Sequence, residues 1–255
     1  MPRTIFITGG SSGIGAALAR HYAREGVVLG LLARRKDALD GLAQSLGVPG
    51  TTYAADVADV AAMQSAAEDF MARHGVPDVV IANAGVSAGT SGGEAEDLAV
   101  LERILRTNVV GLAASLQPFV APMRARGAGI LAGIASVAGF RGLPGAGAYS
   151  GSKAAAIAWL ESLRIELSGS GVAVVTLCPG YIDTPMTRVN RHPMPFMLPA
   201  GEAARRMARA IDARRSWVVV PWQMAIVGGL MRRMPNWLYD RALKRAPRKP
   251  RKLPL

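Results

Sequence analysis

The chain has 255 residues, half of them hydrophobic, and a formal net charge of +12. This length suits one large α/β domain or two small ones, and the apolar content excludes a largely disordered chain. The N-terminal residues lack the layout of a secretory signal, and the single cysteine, Cys178, cannot form an internal disulfide. We therefore expect a cytoplasmic protein. Most of the charge lies near the end, because residues 232–255 hold nine Lys or Arg residues and one Asp.

Short apolar runs alternate with longer segments of helical spacing. The predicted strands are Thr4–Thr8, Val27–Ala33, Thr51–Ala55, Val79–Ala82, Gly129–Ala135, Val172–Cys178 and Trp217–Val220. The predicted helices are 13–25, 37–46, 59–73, 96–126, 149–168 and 201–214. Several strands are continuously apolar, as expected when helices cover both faces of a sheet. The pattern predicts an α/β fold over residues 1–220, with one Rossmann-type, doubly wound parallel sheet of about seven strands.

Two segments stand apart from this alternation. Residues 181–200 contain four prolines and three methionines, which is typical of a long irregular lid over a substrate. Residues 221–255 are first apolar and then basic. They are either a membrane-surface anchor with basic residues on anionic headgroups, or a helix pair that packs on the domain or across a dimer. We expect residues 246–255, APRKPRKLPL, to be disordered and separable from the chemistry.

A glycine-rich turn follows the first predicted strand. Its sequence, TGGSSGIG, spans residues 8–15 and leads directly into an amphipathic helix. Glycines allow tight backbone geometry there, and the free N–H groups of a helix start suit a pyrophosphate. The alternative is a tight turn without a ligand.

Tyr149 and Lys153 are four residues apart, so on a helix they share one face. A free phenol has a pKa of about 10, too high for a base near neutral pH. A neighbouring ammonium favours the phenolate and should lower the pKa of Tyr149. The alternative is an ordinary helix with a surface lysine.

Three motifs occur in order: the glycine turn, Asn83-Ala84-Gly85 and Tyr149-x-x-x-Lys153. With them, residues 1–220 resemble the short-chain dehydrogenase/reductase family. The resemblance implies an oxidoreductase that uses NAD(P) to interconvert a carbonyl and an alcohol. No metal is predicted. The rivals are a catalytically silent dinucleotide-binding regulator and a membrane-associated scaffold.

The resemblance also implies roles for four catalytic residues. Tyr149 is the general acid/base and Lys153 tunes it. Ser136, after an apolar run, hydrogen-bonds the substrate oxygen, although a serine at a strand end is often only a loop residue. Asn108 disturbs its helix and holds a water of a proton relay; otherwise it lies on a solvated polar face.

Cofactor contacts follow from the same resemblance. Asp56 would contact adenine, or cap the helix 59–73. The full set of cofactor-binding residues it implies is Gly9, Ser11, Ser12, Gly13, Ile14, Gly15, Arg34, Asp56, Val57, Asn83, Ala84, Gly85, Tyr149, Lys153, Pro179, Gly180, Ile182 and Thr184.

The second strand ends in Ala33-Arg34-Arg35, without the acid that usually holds the ribose 2′-hydroxyl of NAD. A guanidinium there can bond a 2′-phosphate, so NADP(H) is favoured and NAD(H) stays an alternative. Ser12 stands against this preference, because many NADP-dependent relatives carry a basic residue there.

The substrate and partners are less defined by the sequence. Apolar residues of the predicted lid favour a lipophilic carbonyl or alcohol: Met186, Met194, Phe196, Met197 and Leu198. The resemblance implies a homodimer or homotetramer, paired through helices 96–126 and 149–168. The basic tail could make peripheral membrane contact, whereas nucleic-acid binding is disfavoured because no aromatic platform accompanies the charge.

Overall fold

Seven strands form the central sheet, in the order β3-β2-β1-β4-β5-β6-β9. In this computed structural model, which describes residues 2–190, 193–246 and 248–251, every neighbouring pair in that sheet is parallel. The strands are β1 (Arg3–Thr8), β2 (Val27–Ala33), β3 (Gly50–Ala54), β4 (Val79–Ala82), β5 (Gly129–Ile134), β6 (Val172–Pro179) and β9 (Trp217–Val220). The predicted Rossmann-type sheet is confirmed, with strand ends within one residue of prediction.

Helices connect these strands. They are α1 (Gly13–Tyr22), α2 (Lys36–Leu46), α3 (Val60–His74), α4 (Asp97–Leu105), α5 (Gly111–Arg126), α6 (Gly147–Glu166), α7 (Pro185–Arg188), α8 (Ala200–Asp212), α9 (Gln223–Arg233) and α10 (Asn236–Leu243). A π-helical turn, Arg106–Val110, joins α4 to α5. Two short strands, β7 (Ile182–Asp183) and β8 (Leu198–Pro199), pair within the predicted lid, of which residues 191 and 192 lie outside the described chain.

Both faces of the sheet are covered, which explains the continuously apolar strands. Every residue of β2 and β5 is buried. One face packs against α1, α2 and α8, and the other against α3, α5 and α6. On the second face the ring of Phe6 lies 5.2 Å from both Phe70 and Phe119, measured between centroids. Burying each such side chain contributes about 1.5–3 kcal/mol, so this aromatic cluster anchors the helices that hold the site.

The predicted long helix 96–126 is divided by the π-helical turn. The run Asp97–Arg126 has the length and apolar content of a membrane span. However, Leu116, Phe119 and Met123 on this run are fully buried against the sheet. Burial of this kind is typical of a core helix.

The C-terminal residues return to the domain. Helices α9 and α10 lie against the loop that follows β5, where the Tyr239 hydroxyl donates to the Gly142 carbonyl at 2.7 Å. The expectation of a disordered end does not hold for residues 248–251, because the Pro250 carbonyl accepts from the Gly89 N–H at 2.9 Å. Amino-acid composition does not predict this packing, because residues 248–251 are held by backbone groups and cations and not by apolar side chains. Pro247 and residues 252–255 lie outside the described chain.

Candidate functional site

A cleft of about 260 Å³ opens at the carboxyl ends of the central strands. Every predicted cofactor residue except Gly15 lines it, and so do three of the four predicted catalytic residues. Ala33, Arg35 and Met186, which the sequence connects with cofactor preference and the lid, also line the cleft. So do eight residues that the sequence did not point to: Leu32, Ala55, Val86, Thr107, Ile134, Ala135, Pro185 and Thr187. The cleft lies where doubly wound sheets bind their ligands.

The glycine turn between β1 and α1 depends on the absence of side chains. Gly9 and Gly13 have φ angles of +68° and +56°, in the left-handed region that favours glycine. Gly15 lies behind the turn, where a Cβ atom would stand 2.3 Å from the Gly9 carbonyl oxygen. The N-cap residue of α1, Ser12, makes no side-chain hydrogen bond to the first turn of the helix. The first N–H groups of α1 are therefore not bonded by that side chain. The turn therefore fits the pyrophosphate of a dinucleotide.

Asn83 fixes the distance between the ends of β4 and β1. Its Nδ2 donates to the Thr8 carbonyl at 3.1 Å and to the Gly9 carbonyl at 3.2 Å. Its backbone N–H donates to Thr8 Oγ1 at 3.2 Å. The Asn83-Ala84-Gly85 motif thus supports the glycine turn from the neighbouring strand.

Ser136, Tyr149 and Lys153 meet at the inner end of the cleft. Ser136 follows β5 and donates through Oγ to the Pro179 carbonyl at 3.3 Å. Lys153 is buried, donates through Nζ to the Ile134 carbonyl at 2.8 Å, and stands 5.9 Å from the centre of the Tyr149 ring. The helix α6 carries both Tyr149 and Lys153, as their spacing predicts.

The pKa directions differ from the expectation that Lys153 lowers the pKa of Tyr149. Burial raises the pKa of Tyr149, and a hydrogen bond with Ser136 acts in the opposite direction. Burial lowers the pKa of Lys153 to about 8. The physical reason is that both groups leave water, and desolvation disfavours phenolate and ammonium alike.

Asn108 is fully buried in the π-helical turn, which excludes the solvated polar face. Its Oδ1 accepts from the Val86 N–H at 2.8 Å, and its Nδ2 donates to the Val86 carbonyl at 3.0 Å and to Ser152 Oγ at 3.0 Å. The disturbed helix matches the expectation. The side chain itself does not line the cleft, but it joins the strand-end loop to helix α6.

Asp56 and Arg34 lie together at the outer end of the cleft, 3.8 Å apart between Oδ2 and Nη1. Asp56 accepts from the Ala58 N–H, whereas Asp59 is the N-cap of α3 and accepts from the Ala62 N–H. The proposed capping of α3 by Asp56 is therefore wrong, because the N-cap residue of α3 is Asp59, three residues later. Both Arg34 and Asp56 are about half exposed and accessible to a ligand.

One cleft residue missed from the sequence has a recognisable signal. Thr184 and Thr187 form a reciprocal capping box around the short helix α7, and Thr187 Oγ1 donates to the Ile182 carbonyl at 2.5 Å. The sequence signal is the spacing of the two threonines: in a capping box the second polar residue follows the N-cap residue by three positions. Thr187 therefore fixes the turn that carries Ile182 and Thr184 into the cleft.

The sequence and the fold match known proteins. A short chain dehydrogenase family model matches residues 3–195. An uncharacterized oxidoreductase of Myxococcus xanthus is 38% identical over 246 residues, covering 95% of this chain and 97% of that one. The 2-(R)-hydroxypropyl-CoM dehydrogenase of Xanthobacter autotrophicus is 32% identical over 201 residues, covering 74% of this chain and 78% of that one.

Two solved structures of similar proteins contain a bound nicotinamide nucleotide. A short chain dehydrogenase/reductase from Burkholderia phymatum in complex with NAD superposes with a TM-score of 0.82 and 26% identity, over 99% of this chain and 98% of that one. An alcohol dehydrogenase from Thermococcus sibiricus, complexed with 5-hydroxy-NADP, gives a TM-score of 0.76 and 27% identity, over 86% and 96% of the two chains. With a family model over most of its length, this chain belongs to the short chain dehydrogenase family and is an NAD(P)-binding oxidoreductase that acts on CH–OH groups.

Proposed function

We propose that the protein is an NADP(H)-dependent oxidoreductase that interconverts a lipophilic carbonyl and an alcohol. Tyr149 exchanges the proton with the substrate oxygen, and Ser136 hydrogen-bonds that oxygen. Lys153 supports the proton transfer from the same helix face. The bound nicotinamide supplies or accepts the hydride. The observation that carries this proposal is the meeting of Ser136, Tyr149 and Lys153 in the cleft that begins at the glycine turn.

The buried surroundings of these groups suit an acid at neutral pH. A raised pKa keeps Tyr149 protonated, which is the form that donates to a developing alkoxide. Lys153, with a pKa of about 8, changes its charge close to the working range and can pass on a proton. We propose that Asn108 holds the Val86 backbone and α6 at a fixed distance, so that the relay residues keep their alignment.

The preference for NADP(H) is supported by Arg34 at the mouth of the cleft. Its guanidinium is half exposed, and its neighbour Arg35 also lines the cleft. Asp56 lies 3.8 Å from Arg34, so it orients the guanidinium without burying it. A 2′-phosphate would take charge-assisted hydrogen bonds from Arg34, whereas no carboxylate follows directly after β2 to bond a free 2′-hydroxyl.

A lipophilic substrate is supported by the lid. Met186 lines the cleft and is 37% exposed, and Phe196 and Met197 nearby are 50% and 45% exposed. Covering such side chains with an apolar substrate is favourable, because it removes apolar surface from water. Met is also flexible enough to fit substrates of different shape.

The test is NADPH oxidation against acetone, cyclohexanone, decanal and benzil, repeated with NADH. We expect turnover that increases from acetone to the larger apolar carbonyls and is faster with NADPH. Turnover only with acetone would contradict the lipophilic substrate. A protein that binds NADPH but turns over none of the panel would favour the silent regulator.

For assembly, we propose a homodimer in the cytoplasm, paired through α4, α5 and α6. Leu98 on α4 and Ile165 on α6 support it, since they are 66% and 61% exposed. Pairing would remove this apolar surface from water. Sedimentation velocity of wild type and of a Leu98→Ser variant tests it, and a monomeric wild type would contradict it.

A contact with anionic lipid is a second proposed partner surface. Trp222, Ile226 and Leu230 recur at one-turn intervals along α9, and each is more than 60% exposed. Arg232 and Arg233 follow on the same helix. Exposed apolar side chains followed by arginines suit an anionic membrane, where the apolar side chains enter the interface and the arginines lie on the headgroups.

Vesicle sedimentation tests that surface. We expect Ile226→Ser to reduce sedimentation with phosphatidylglycerol vesicles, whereas Val60→Ser, at another exposed apolar site, on α3, leaves it unchanged. Equal sedimentation of wild type with anionic and neutral vesicles would exclude the lipid contact.

A further inference from the structure

Residues 248–251 cross the substrate end of the protein, and we name them the C-terminal strap. The strap lies on two loops, 87–97 after β4 and 139–146 after β5. These loops border the cleft residues Val86 and Tyr149. Sequence composition alone predicts that this end of the chain is separable from the chemistry, and the contacts of the strap point the other way.

Two hydrogen bonds and an ion pair hold the strap on the first loop. The Gly89 N–H donates to the Pro250 carbonyl at 2.9 Å. Lys249 Nζ donates to Ser87 Oγ at 2.8 Å, and burial lowers the pKa of Lys249 to about 8. Arg251 Nε stands 3.0 Å from Asp97 Oδ2. A backbone bond, a half-buried ammonium and an ion pair together give the strap a defined register.

The Asp97 carboxylate makes the anchor of the strap specific. Asp97 is only 7% exposed, and its Oδ2 also accepts from the Ser91 N–H at 2.6 Å. Glu94 and Glu96 lie 3.8 and 3.9 Å from Arg251, so one guanidinium serves three carboxylates. A mostly buried carboxylate is costly without a cation, so this loop favours the strap in its bound position.

Two glycines leave room for the strap. A Cβ atom on Gly89 would stand 2.1 Å from the Lys249 carbonyl oxygen, and one on Gly145 would stand 2.7 Å from Arg248 Cβ. By contrast, a Cβ on Gly92 or Gly93 in the same loop meets nothing within 4 Å. Within residues 87–97 the close approach is therefore confined to Gly89, where the strap backbone crosses, and at Gly145 the strap approaches with the Arg248 side chain.

The strapped loops lead directly to Tyr149. The Thr90 N–H donates to the Gly145 carbonyl at 3.0 Å, and Thr90 Oγ1 accepts from the Ala148 N–H at 3.3 Å. Gly145 and Ala148 stand on either side of the first residue of α6, the helix that carries Tyr149. Thr90, next to the strap contact of Gly89, is thereby hydrogen-bonded to the backbone at the start of α6.

The loop after β5 is held from its other side by the C-terminal helices. Arg141 Nη1 donates to the carbonyls of Met231 and Met234 at 2.7 and 2.5 Å, and its guanidinium stacks 3.8 Å from the centre of the Tyr239 ring. The connection from Ser136 to Tyr149 thus lies between α9–α10 on one side and the strap on the other.

We propose that the C-terminal strap is a positioning element of the active site, which fixes the substrate-end loops and thereby the placement of Tyr149 relative to Ser136. This inference rests on the proposed roles of those two residues. Among the described residues, the contacts of 248–251 are with Ser87, Gly89, Glu94, Glu96, Asp97 and Gly145, and none of these is proposed to hold the nucleotide. The strap therefore acts on substrate turnover and leaves cofactor binding unchanged.

The test displaces the strap without removing it. Gly89→Ala places a methyl group where the Lys249 carbonyl lies, and Gly92→Ala is the matched control in the same loop. Arg251→Ala and Arg251→Lys form a second pair, in which lysine keeps a cation for Asp97. Each is assayed with NADPH and the best carbonyl of the panel, by NADPH titration, and by amide hydrogen exchange.

For Gly89→Ala and Arg251→Ala we expect kcat/KM to fall about tenfold or more, since small misplacements of reacting groups are costly. NADPH affinity should stay at the wild-type value. Gly92→Ala should behave as wild type, and Arg251→Lys should recover most of the activity. Amides of 87–97 and 145–150 should exchange faster in the two impaired variants.

The outcomes separate the strap from the proposed function. Unchanged exchange in Gly89→Ala and Arg251→Ala overturns the strap inference, whatever the turnover. Faster exchange with unchanged kcat/KM also overturns it, because the loops would then move without moving Tyr149. A wild type inactive on every carbonyl, but with the exchange differences present, overturns the proposed function and leaves only the ordering of the loops.

Discussion

The two halves of the cleft are built in different ways. The cofactor half consists of strand ends and the glycine turn, joined by hydrogen bonds to backbone atoms of neighbouring strands, such as those of Asn83 to Thr8 and Gly9. The substrate half consists of loops held by side chains and by the end of the chain, as in the contacts of Arg141 and Lys249. The cofactor half is thus part of the sheet, whereas the substrate half consists of loops that pack against it.

This difference determines how each half tolerates change. In the cofactor half the neighbours of a residue are backbone atoms that cannot move independently of the core. In the substrate half the neighbours are loops and side chains, which can adjust and can differ between related chains. We expect substitutions in the first half to act on folding and nucleotide binding, and those in the second half to act on turnover.

The largest effect should come from Tyr149, which lies between the cofactor half and the substrate half of the cleft. Tyr149→Phe removes the proposed proton donor and little volume, so we expect kcat to fall by about 10²–10⁴-fold. NADPH affinity, measured by fluorescence titration, should stay near the wild-type value. A variant that keeps most of its kcat on a carbonyl that the wild type reduces would show that Tyr149 is not the acid.

Lys153 should make stability depend on pH. Its pKa falls from 10.5 to about 8 in the folded state, so the unfolded chain binds more protons between these values. Stability contributed by this group therefore rises with pH across that window, by about 3 kcal/mol in total. We expect Lys153→Met to lose this contribution, measured by urea unfolding at both ends of the window, while the contribution of Lys249, whose pKa burial also lowers to about 8, remains.

Lys36 is the control for that experiment. It is exposed and paired with Asp40, which raises its pKa. Lys36→Met should therefore keep the upward slope between pH 8 and 10.5. A wild-type slope in Lys153→Met would show that the buried ammonium is not its source.

Gly15 tests the rigidity of the cofactor half. A methyl group there would lie 2.3 Å from the Gly9 carbonyl oxygen, so we expect Gly15→Ala to cost about 1–3 kcal/mol of stability and to weaken NADPH binding. Gly151→Ala is the matched change in α6, where the added Cβ meets nothing within 4 Å. It should stabilise the helix by about 1 kcal/mol. Equal unfolding free energies of the two variants would contradict the comparison.

Arg34 should set the cofactor preference, an effect confined to the choice between two nucleotides. Ala33→Asp combined with Arg34→Ile should move the NADPH/NADH ratio of kcat/KM by about tenfold or more, since a hydrogen bond to a charged group contributes about 1.5–3 kcal/mol. Arg24→Ile, at an exposed position outside the cleft, is the control. A wild type that prefers NADH would reject the assignment.

Much of the fold and of the site could be predicted because the signals are local. The alternation of strands and helices was visible in the apolar periodicity, and strand ends were placed within one residue. The glycine turn and the spacing of Tyr149 and Lys153 are also local patterns. Each depends only on neighbours along the chain, which propensity and periodicity describe directly.

The partners of buried polar groups could not be predicted in this way. The sequence leaves open that Asn108 lies on a solvated polar face, but in the structure its side chain bonds Val86, 22 residues away. The pKa of Tyr149 was expected to fall next to Lys153 and instead rises through burial. Burial depends on every element packed around a group, and the sequence does not state which elements those are.

The sequence by itself determined the sheet, the glycine turn and the residue types brought to the cleft, because backbone periodicity and glycine geometry are fixed within a few residues. Only the tertiary structure decided where the end of the chain goes. Lys249 reaches Ser87 across 162 positions, and Arg251 finds the carboxylate of Asp97. A basic, proline-rich segment lacks the apolar content to pack by itself, yet a buried acid and two glycines elsewhere in the chain provide its binding site.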